Sequence, residues 1–220
     1  LTLSVDFYDS SITARVLDGG AALEGSWSKR RSKDQTAVLP FFARAGLATR
    51  FDPIKPVRSV VTAEPSQIDG RWRVTFEKDT DGAIGEFQID DDGRALGTFL
   101  TPTGDYRLLE GLFDGSRLRL SCFDGAHAFL FDAEVRSDNG AIGLAGDFYS
   151  AAHWHDTSTA LPDADATLPD PFTQTTPVPN VALSQIKFPD LNGAMRSLDD
   201  PQFSGKARII EVFGTWCPNC

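Results

Sequence analysis

The strongest constraint on the fold of this 220-residue chain is a turn signal that recurs every ten residues or so through most of its first 150 positions. Asp-Gly and Asn-Gly tolerate positive φ at both central positions of a tight turn, and they favour two-residue hairpin connections. A chain that turns so often, with no helical stretch between the turns, is expected to form an antiparallel meander. The dipeptides stand at positions 18–19, 69–70, 81–82, 92–93, 114–115, 124–125 and 139–140.

The segments between these turns alternate apolar and polar residues, which is the pattern of strands with one buried face. We therefore predict a mainly β fold, with an antiparallel β-barrel or sandwich over residues 1–150, because a long meander must hide its edges. Its aromatic residues are expected to fill the interior rather than to form a ligand site. The predicted strands are 11–17, 23–29, 71–77, 85–89, 95–100, 117–123, 128–135 and 142–149.

Composition changes after this region. Prolines are frequent between 156 and 180, so residues 151–181 are predicted to be a semi-rigid linker or a strap. Residues 40–66 are predicted to be a long loop over one end of the sheet. Beyond the linker we expect a strand over 181–189, a turn at 190–193, a return strand at 195–198 and one helical turn near 199–203. The apolar run 207–213 suits a strand buried on both faces of an α/β sheet.

The chain ends in Trp216-Cys217-Pro218-Asn219-Cys220. Two thiols at this spacing can close a small disulfide, best when the first one starts a helix whose N-terminus lowers its pKa. Cys217 is then the attacking nucleophile, and Cys220 resolves the mixed disulfide. Pro218 suits the first helical turn, and Trp216 is expected to cover one side of the pair. Half of a zinc site has the same spacing, but the chain offers no obvious second Cys or His pair.

Glu211 lies six positions before Cys217, within an otherwise apolar run. A carboxylate buried there is expected to have a raised pKa and to accept the proton when Cys220 attacks. The alternative is that Glu211 points from an edge strand into water, and the sequence leaves both open.

The segment from Gly205 to Cys220 resembles TlpA/ResA-type disulfide reductases of the thioredoxin-like superfamily, often labelled as redoxin or thiol-specific antioxidant domains. The hairpin sequence 188–193 resembles the one that opens that domain. The resemblance implies that residues 182–220 are the N-terminal portion of a thioredoxin-like α/β domain, and Glu211 matches the buried acid of the family. It also implies a bacterial protein in the periplasm or cell envelope. The implied reaction reduces or exchanges protein disulfides, with an upstream thiol reductant and no cofactor beyond the Cys217–Cys220 disulfide.

The family continues beyond the motif with a helix, further strands and a cis-proline loop that binds substrate. We therefore expect this chain to be truncated after the CxxC motif and to lack most of the family's activity. Two other functions stay open. The β domain could bind a partner or a small apolar ligand, with a redox domain as its effector. Peroxide reduction is the second, but its usual Pro-x-x-x-Thr-x-x-Cys context is missing here.

Other candidates are weaker. Cys122 is expected to be a small apolar residue in a strand. His153, His155 and Asp156 could supply metal ligands, although a packed or solvated loop is favoured. The acidic run 90–92 suits a solvated hairpin tip better than a calcium loop.

Lys and Arg total 21 against 31 Asp and Glu, for a net charge of -10. This balance argues against nucleic acid or an anionic membrane surface as a partner. No apolar run reaches the ~20 residues that a membrane-spanning helix needs.

Overall fold

The computed structural model describes residues 1–47, 50–51, 61–79, 81–138, 140–173, 176, 179–180 and 182–211. They divide into two compact units, residues 1–169 and 170–220. The first unit holds nearly all of the regular structure, in two antiparallel sheets and one short helix.

The first sheet has four strands in sequence order. Its strands are β1 (Thr2–Val5), β2 (Ser10–Leu17), β3 (Ala22–Ser32) and β4 (Gln35–Arg44). Short 3-10 turns at Asp6–Tyr8 and Asp18–Gly20 connect the first three strands. Pro40 lies inside β4, so the predicted loop over 40–66 begins later than expected; residues 48–49 and 52–60 of that prediction lie outside the described residues.

The second sheet is an antiparallel eight-stranded barrel, which confirms the predicted mainly β fold. Its strands are β5 (Gly70–Phe76), β6 (Ala83–Ile89), β7 (Arg94–Thr101), β9 (Leu109–Phe113), β10 (Arg117–Phe123), β11 (Ala128–Asp138), β12 (Ala141–Ser150) and β13 (Trp154–Pro162). Each strand pairs with the next one along the chain, and β13 pairs with β5 to close the ring. The two-residue strand β8 (Gly104–Asp105) extends β7, and helix α1 (Pro65–Ile68) precedes β5.

The barrel interior is filled by large apolar side chains, as the sequence predicts. Four phenylalanines stack or meet at an angle in its middle: Phe76, Phe99, Phe131 and Phe148. A space bounded by Phe99, Phe131 and neighbouring core side chains measures about 20 Å³, which is room for about one water molecule. The interior is therefore a packed core.

Two glycines lie where neighbouring barrel strands approach each other closely. A Cβ on Gly146 would lie 2.1 Å from the carbonyl oxygen of Asp132, and one on Gly111 would lie 1.7 Å from that of Arg119. Any side chain at these positions would displace backbone of the neighbouring strand, so glycine is required where the strands cross most closely.

The last barrel strand occupies residues that composition assigns to the linker. Residues 151–181 were expected outside the β domain, but Trp154–Pro162 forms β13, which pairs with both β12 and β5. The segment after it also follows β5: Asp163 N–H donates to the Arg71 carbonyl, and the Arg71 side chain donates to the Ala166 carbonyl. The barrel therefore extends about fifteen residues beyond the predicted boundary, because its ring needs an eighth strand.

The second unit contains a two-stranded hairpin, β14 (Lys187–Pro189) and β15 (Met195–Ser197). Short 3-10 turns lie at Pro171–Thr173, Leu183–Gln185 and Pro201–Phe203. The expected strand, turn and return strand form this hairpin, and the expected helical turn is present at Pro201–Phe203. The first strand was predicted over 181–189, whereas in the described residues it begins at Lys187.

Candidate functional site

The predicted redox centre is described only at its first residue. Cys217, Cys220, Trp216 and Pro218 lie outside the described residues. Glu211 is the last described residue; it is exposed and belongs to no helix or strand. Its role as a proton acceptor stays a prediction.

The run before the motif differs from its expected form. Residues 207–211 carry no strand, and Ile209 and Ile210 are 98% and 51% exposed. A strand buried on both faces needs hydrogen-bonding neighbours and covering helices. The described residues of this unit provide one small hairpin and three 3-10 turns, and no strand among them pairs with residues 207–211.

The hairpin that resembles the opening of the redox domain is fixed by the side chain of Asp190. One carboxylate oxygen accepts the N–H groups of Asn192 and Ala194, and the other accepts from Arg196 at 2.9 Å. The Arg196 guanidinium and the two backbone donors hold the pKa of Asp190 below its usual value. This aspartate therefore has a structural explanation in the turn.

Cys122 lies in β10 with its side chain packed against the barrel core, as predicted. Burial raises the pKa of the thiol, and the nearby Asp124 raises it further. Because the thiolate is the nucleophile, these surroundings suppress its reactivity.

Two of the three residues considered as metal ligands, His155 and Asp156, point in different directions. Asp156 is 3% exposed, and its carboxylate accepts the backbone N–H groups of Lys78 and Thr157. His155 faces outward, and its Nε2 lies 2.7 Å from Asp147 Oδ1. Across the described part of the chain, no three His, Cys, Asp or Glu side chains are grouped closely enough to hold a metal ion.

The acidic run 90–92 forms a hairpin tip between β6 and β7, as predicted. Asp90 Oδ1 accepts the N–H groups of Asp92 and Arg94, and Gly93 N–H donates to the Asp90 carbonyl. These bonds close the turn, and the Asp90 carboxylate is engaged within it.

A polar groove of about 460 Å³ lies on the outer face of the barrel, across β5 and β10 to β13. Its charged side chains are mostly paired with one another. Arg117 makes a two-point ion pair with Asp132, and Arg136 pairs with Glu134 at 2.6 Å. The positive and negative charges of these pairs therefore neutralise one another within the groove.

Sequence reasoning did not identify a set of apolar side chains on the outside of the barrel. The set consists of Phe123, Leu130 and Tyr149, which stand at outward-facing positions of their strands. Phe123 is 42% exposed and Tyr149 is 37% exposed. The sequence signal that could have identified them is an apolar residue at a strand position where the alternation calls for an outward-facing polar one. These three residues line a second groove.

Comparisons with protein-family models, with curated proteins and with solved structures find no match to this chain. Among the described residues, none of the helices combines the length and apolarity that crossing a bilayer requires.

Proposed function

We propose that this chain belongs to a thiol–disulfide oxidoreductase that reduces or exchanges protein disulfides in the cell envelope. The single observation that carries the proposal is the sequence Trp216-Cys217-Pro218-Asn219-Cys220, placed directly after the apolar run 207–213. The hairpin at 187–197, with Asp190 in its turn, supports the proposal because it stands where the resembled family has its opening hairpin.

In the proposed reaction, the Cys217 thiolate attacks one sulfur of a substrate disulfide. A bond forms between that sulfur and Cys217, and the other substrate sulfur leaves as a thiolate. Cys220 then loses its proton, attacks Cys217, and releases the second substrate thiol. The substrate gains two electrons, the Cys217–Cys220 disulfide forms, and an upstream dithiol reductant must restore the two thiols.

Glu211 is proposed to take the proton from Cys220. This role requires a carboxylate shielded from water, because only desolvation raises its proton affinity enough. Glu211 is exposed in the described structure, so its role is tested apart from the cysteines.

The barrel is proposed to act as a rigid spacer or scaffold for the redox segment. Its packed interior favours this role over storage of a ligand inside the ring, since binding pockets for small molecules measure about 300–1,000 Å³ and the interior space is about 20 Å³.

The test is insulin reduction and thiol titration with the complete protein. Wild type should reduce insulin, and the pH dependence of Cys217 alkylation should give a pKa below that of free cysteine. Cys217→Ser should abolish reduction, Cys220→Ser should accumulate a mixed disulfide, and Cys122→Ser serves as the matched control with full activity. A Cys217 pKa equal to that of free cysteine, with no reduction above the Cys217→Ser background, would exclude the proposed function.

Glu211→Gln is expected to slow resolution of the mixed disulfide while leaving the first attack unchanged. Equal resolution rates in Glu211→Gln and wild type would remove the residue from the mechanism and leave the cysteine chemistry intact.

A further inference from the structure

An apolar groove runs along the rim of the barrel, where the end of β10 and the start of β11 lie beside the four-stranded sheet. Its volume is about 440 Å³, within the usual range for small-ligand pockets. Leu39 of β4 provides one wall, and Phe129, Leu130 and Tyr149 of the barrel provide much of the other. We call it the rim groove.

The rim groove lies beside the point at which the four-stranded sheet attaches to the barrel. That sheet is fixed at the turn between β10 and β11, where the Gly125 carbonyl accepts the Ser10 hydroxyl at 2.5 Å and the Trp27 indole N–H at 3.4 Å. Lys29 Nζ adds a bond to the Ala126 carbonyl at 2.9 Å. The contact is concentrated at this turn, and the groove lies beside it.

Cationic side chains lie at the rim groove although the chain as a whole carries a net charge of -10. Arg50 is part of its lining, and its one ion pair within the described residues is a long one, Nε to Glu110 Oε2 at 3.6 Å. Glu110 is shared with Arg94, which pairs with its other oxygen at 2.6 Å. A guanidinium has five N–H donors, so Arg50 keeps donors for another anion.

A second group of cations lies near the other end of the lining. Lys29 and Arg31 lie close enough to His153 to lower its pKa, after the larger effect of burial. His153 follows Ala151, a lining residue, by two positions. The acidic neighbour at this end, Asp124, is already engaged by His127 and Arg107. Because salt screens charges beyond about 8–10 Å, these local cations decide what the groove attracts, and the distant acidic residues contribute little.

We infer that the rim groove binds a single-chain carboxylate, with its hydrocarbon chain along Leu39, Leu130 and Tyr149 and its carboxylate at Arg50. This ligand site is separate from the disulfide chemistry proposed above. An apolar wall with a cation at its edge complements an apolar chain with one anionic end, and a guanidinium suits a carboxylate because it can donate two parallel hydrogen bonds.

The probe is decanoate, titrated calorimetrically into the Cys217→Ser/Cys220→Ser form of the complete protein, so that redox chemistry is absent. One decanoate should bind per chain. Octanoate should bind more weakly by about two- to fourfold for each methylene removed. Decyltrimethylammonium, whose alkyl chain is longer by a single carbon and whose charge is opposite, should bind at least tenfold more weakly.

Matched variants locate the site. Leu130→Glu places an anion in the groove wall and should weaken decanoate binding by at least tenfold. Leu161→Glu, an outward position on β13 that is 58% exposed and outside the lining, should leave it unchanged. Arg50→Gln should weaken decanoate but not decyltrimethylammonium. Leu130→Ala, with milder weakening expected, replaces Leu130→Glu if that variant loses its near-ultraviolet circular dichroism.

Cys122 gives an independent readout because it is among the residues that line the groove. Bound decanoate should slow alkylation of this thiol several-fold, and the protection should disappear in Leu130→Glu. No binding at millimolar decanoate, equal affinity for the anionic and cationic probes, or equal losses in Leu130→Glu and Leu161→Glu would each overturn the inference.

Discussion

The rings of Phe99 and Phe131 stack inside the barrel with their centroids 4.0 Å apart and their planes inclined by 20°. The two residues come from β7 and β11, which are not neighbours in the ring, so the stack spans the interior. This contact joins two non-adjacent strands across the barrel interior and fills the space between them.

Phe131→Ala should destabilise the barrel by about 3–5 kcal/mol, because a buried aromatic ring is lost and the surrounding rings cannot fully close the cavity. Denaturant unfolding measures the change. Leu161→Ala, at a position 58% exposed, is the control and should change stability by less than about 0.5 kcal/mol. Equal effects of both substitutions would contradict a packed interior.

Trp27→Ala should release the four-stranded sheet from the barrel. Trp27 is 3% exposed, its ring meets Phe123 edge-on at 5.8 Å, and its N–H donates to Gly125. Removing this ring should cost the attachment about 3–5 kcal/mol and speed proteolysis within residues 1–44, while the barrel core stays protected from hydrogen exchange. Phe42→Ala, 70% exposed on the opposite face of the sheet, should leave proteolysis unchanged.

Asp124 should make stability depend on pH in the acid range. Burial alone would raise the pKa of its carboxyl, but the hydrogen bonds from the His127 ring and from the backbone N–H groups of His127 and Ala126 outweigh burial and lower it. A lowered folded-state pKa contributes stability above the unfolded value of about 3.9, and that stability is lost as pH falls through the folded value.

Asp124→Asn should therefore cost about 1–3 kcal/mol at neutral pH, and the difference from wild type should shrink as the pH falls below about 4. Chemical denaturation at several pH values measures this. Asp165→Asn, at an exposed position, is the control. If the difference in unfolding free energy between Asp124→Asn and wild type stayed constant down to the lowest pH measured, Asp124 would act through packing rather than charge.

Cys122 should react slowly with iodoacetamide, because burial raises its pKa and leaves little thiolate at neutral pH. Its alkylation rate, followed by mass spectrometry of the Cys217→Ser/Cys220→Ser protein, should rise only at a pH above that needed for free cysteine. Unfolding the protein in urea should remove the delay. A native rate equal to the unfolded rate would contradict the burial of this thiol.

Much of the barrel was predictable, because alternation and turn signals coincide in its strands. The hairpin at 90–93 shows this best: the apolar phase of β6 and β7 and the Asp-Gly turn specify the same structure. Strand β13 was missed because its inward positions, Asp156, Ser158 and Ala160, are polar or small, and Pro162 stands at its end. Its place is set by pairing with β5, a contact between distant parts of the chain that no local pattern records.

The candidate sites also differ in whether a local sequence pattern or a contact between distant parts of the chain determines them. The burial of Cys122 followed from its strand pattern. The inward turn of Asp156, which accepts backbone N–H groups of Lys78 and Thr157, depends on where two strands end and was not predictable. The rim groove requires two sheets to meet. The Cys217–Cys220 chemistry remains a prediction from the motif, since these residues lie outside the described ones.

Closure of the ring has a consequence for how the molecule acquires its structure. Arg73 and Asp163 form an ion pair across a sequence separation of 90 residues, next to the last pairing between β5 and β13. The chain entropy lost in forming that contact is larger than for any adjacent hairpin, and contacts so distant in sequence slow folding. On the ribosome, β5 must wait with an unpaired edge until residue 162 has emerged, so a nascent chain that stalls earlier exposes a strand able to pair with another molecule.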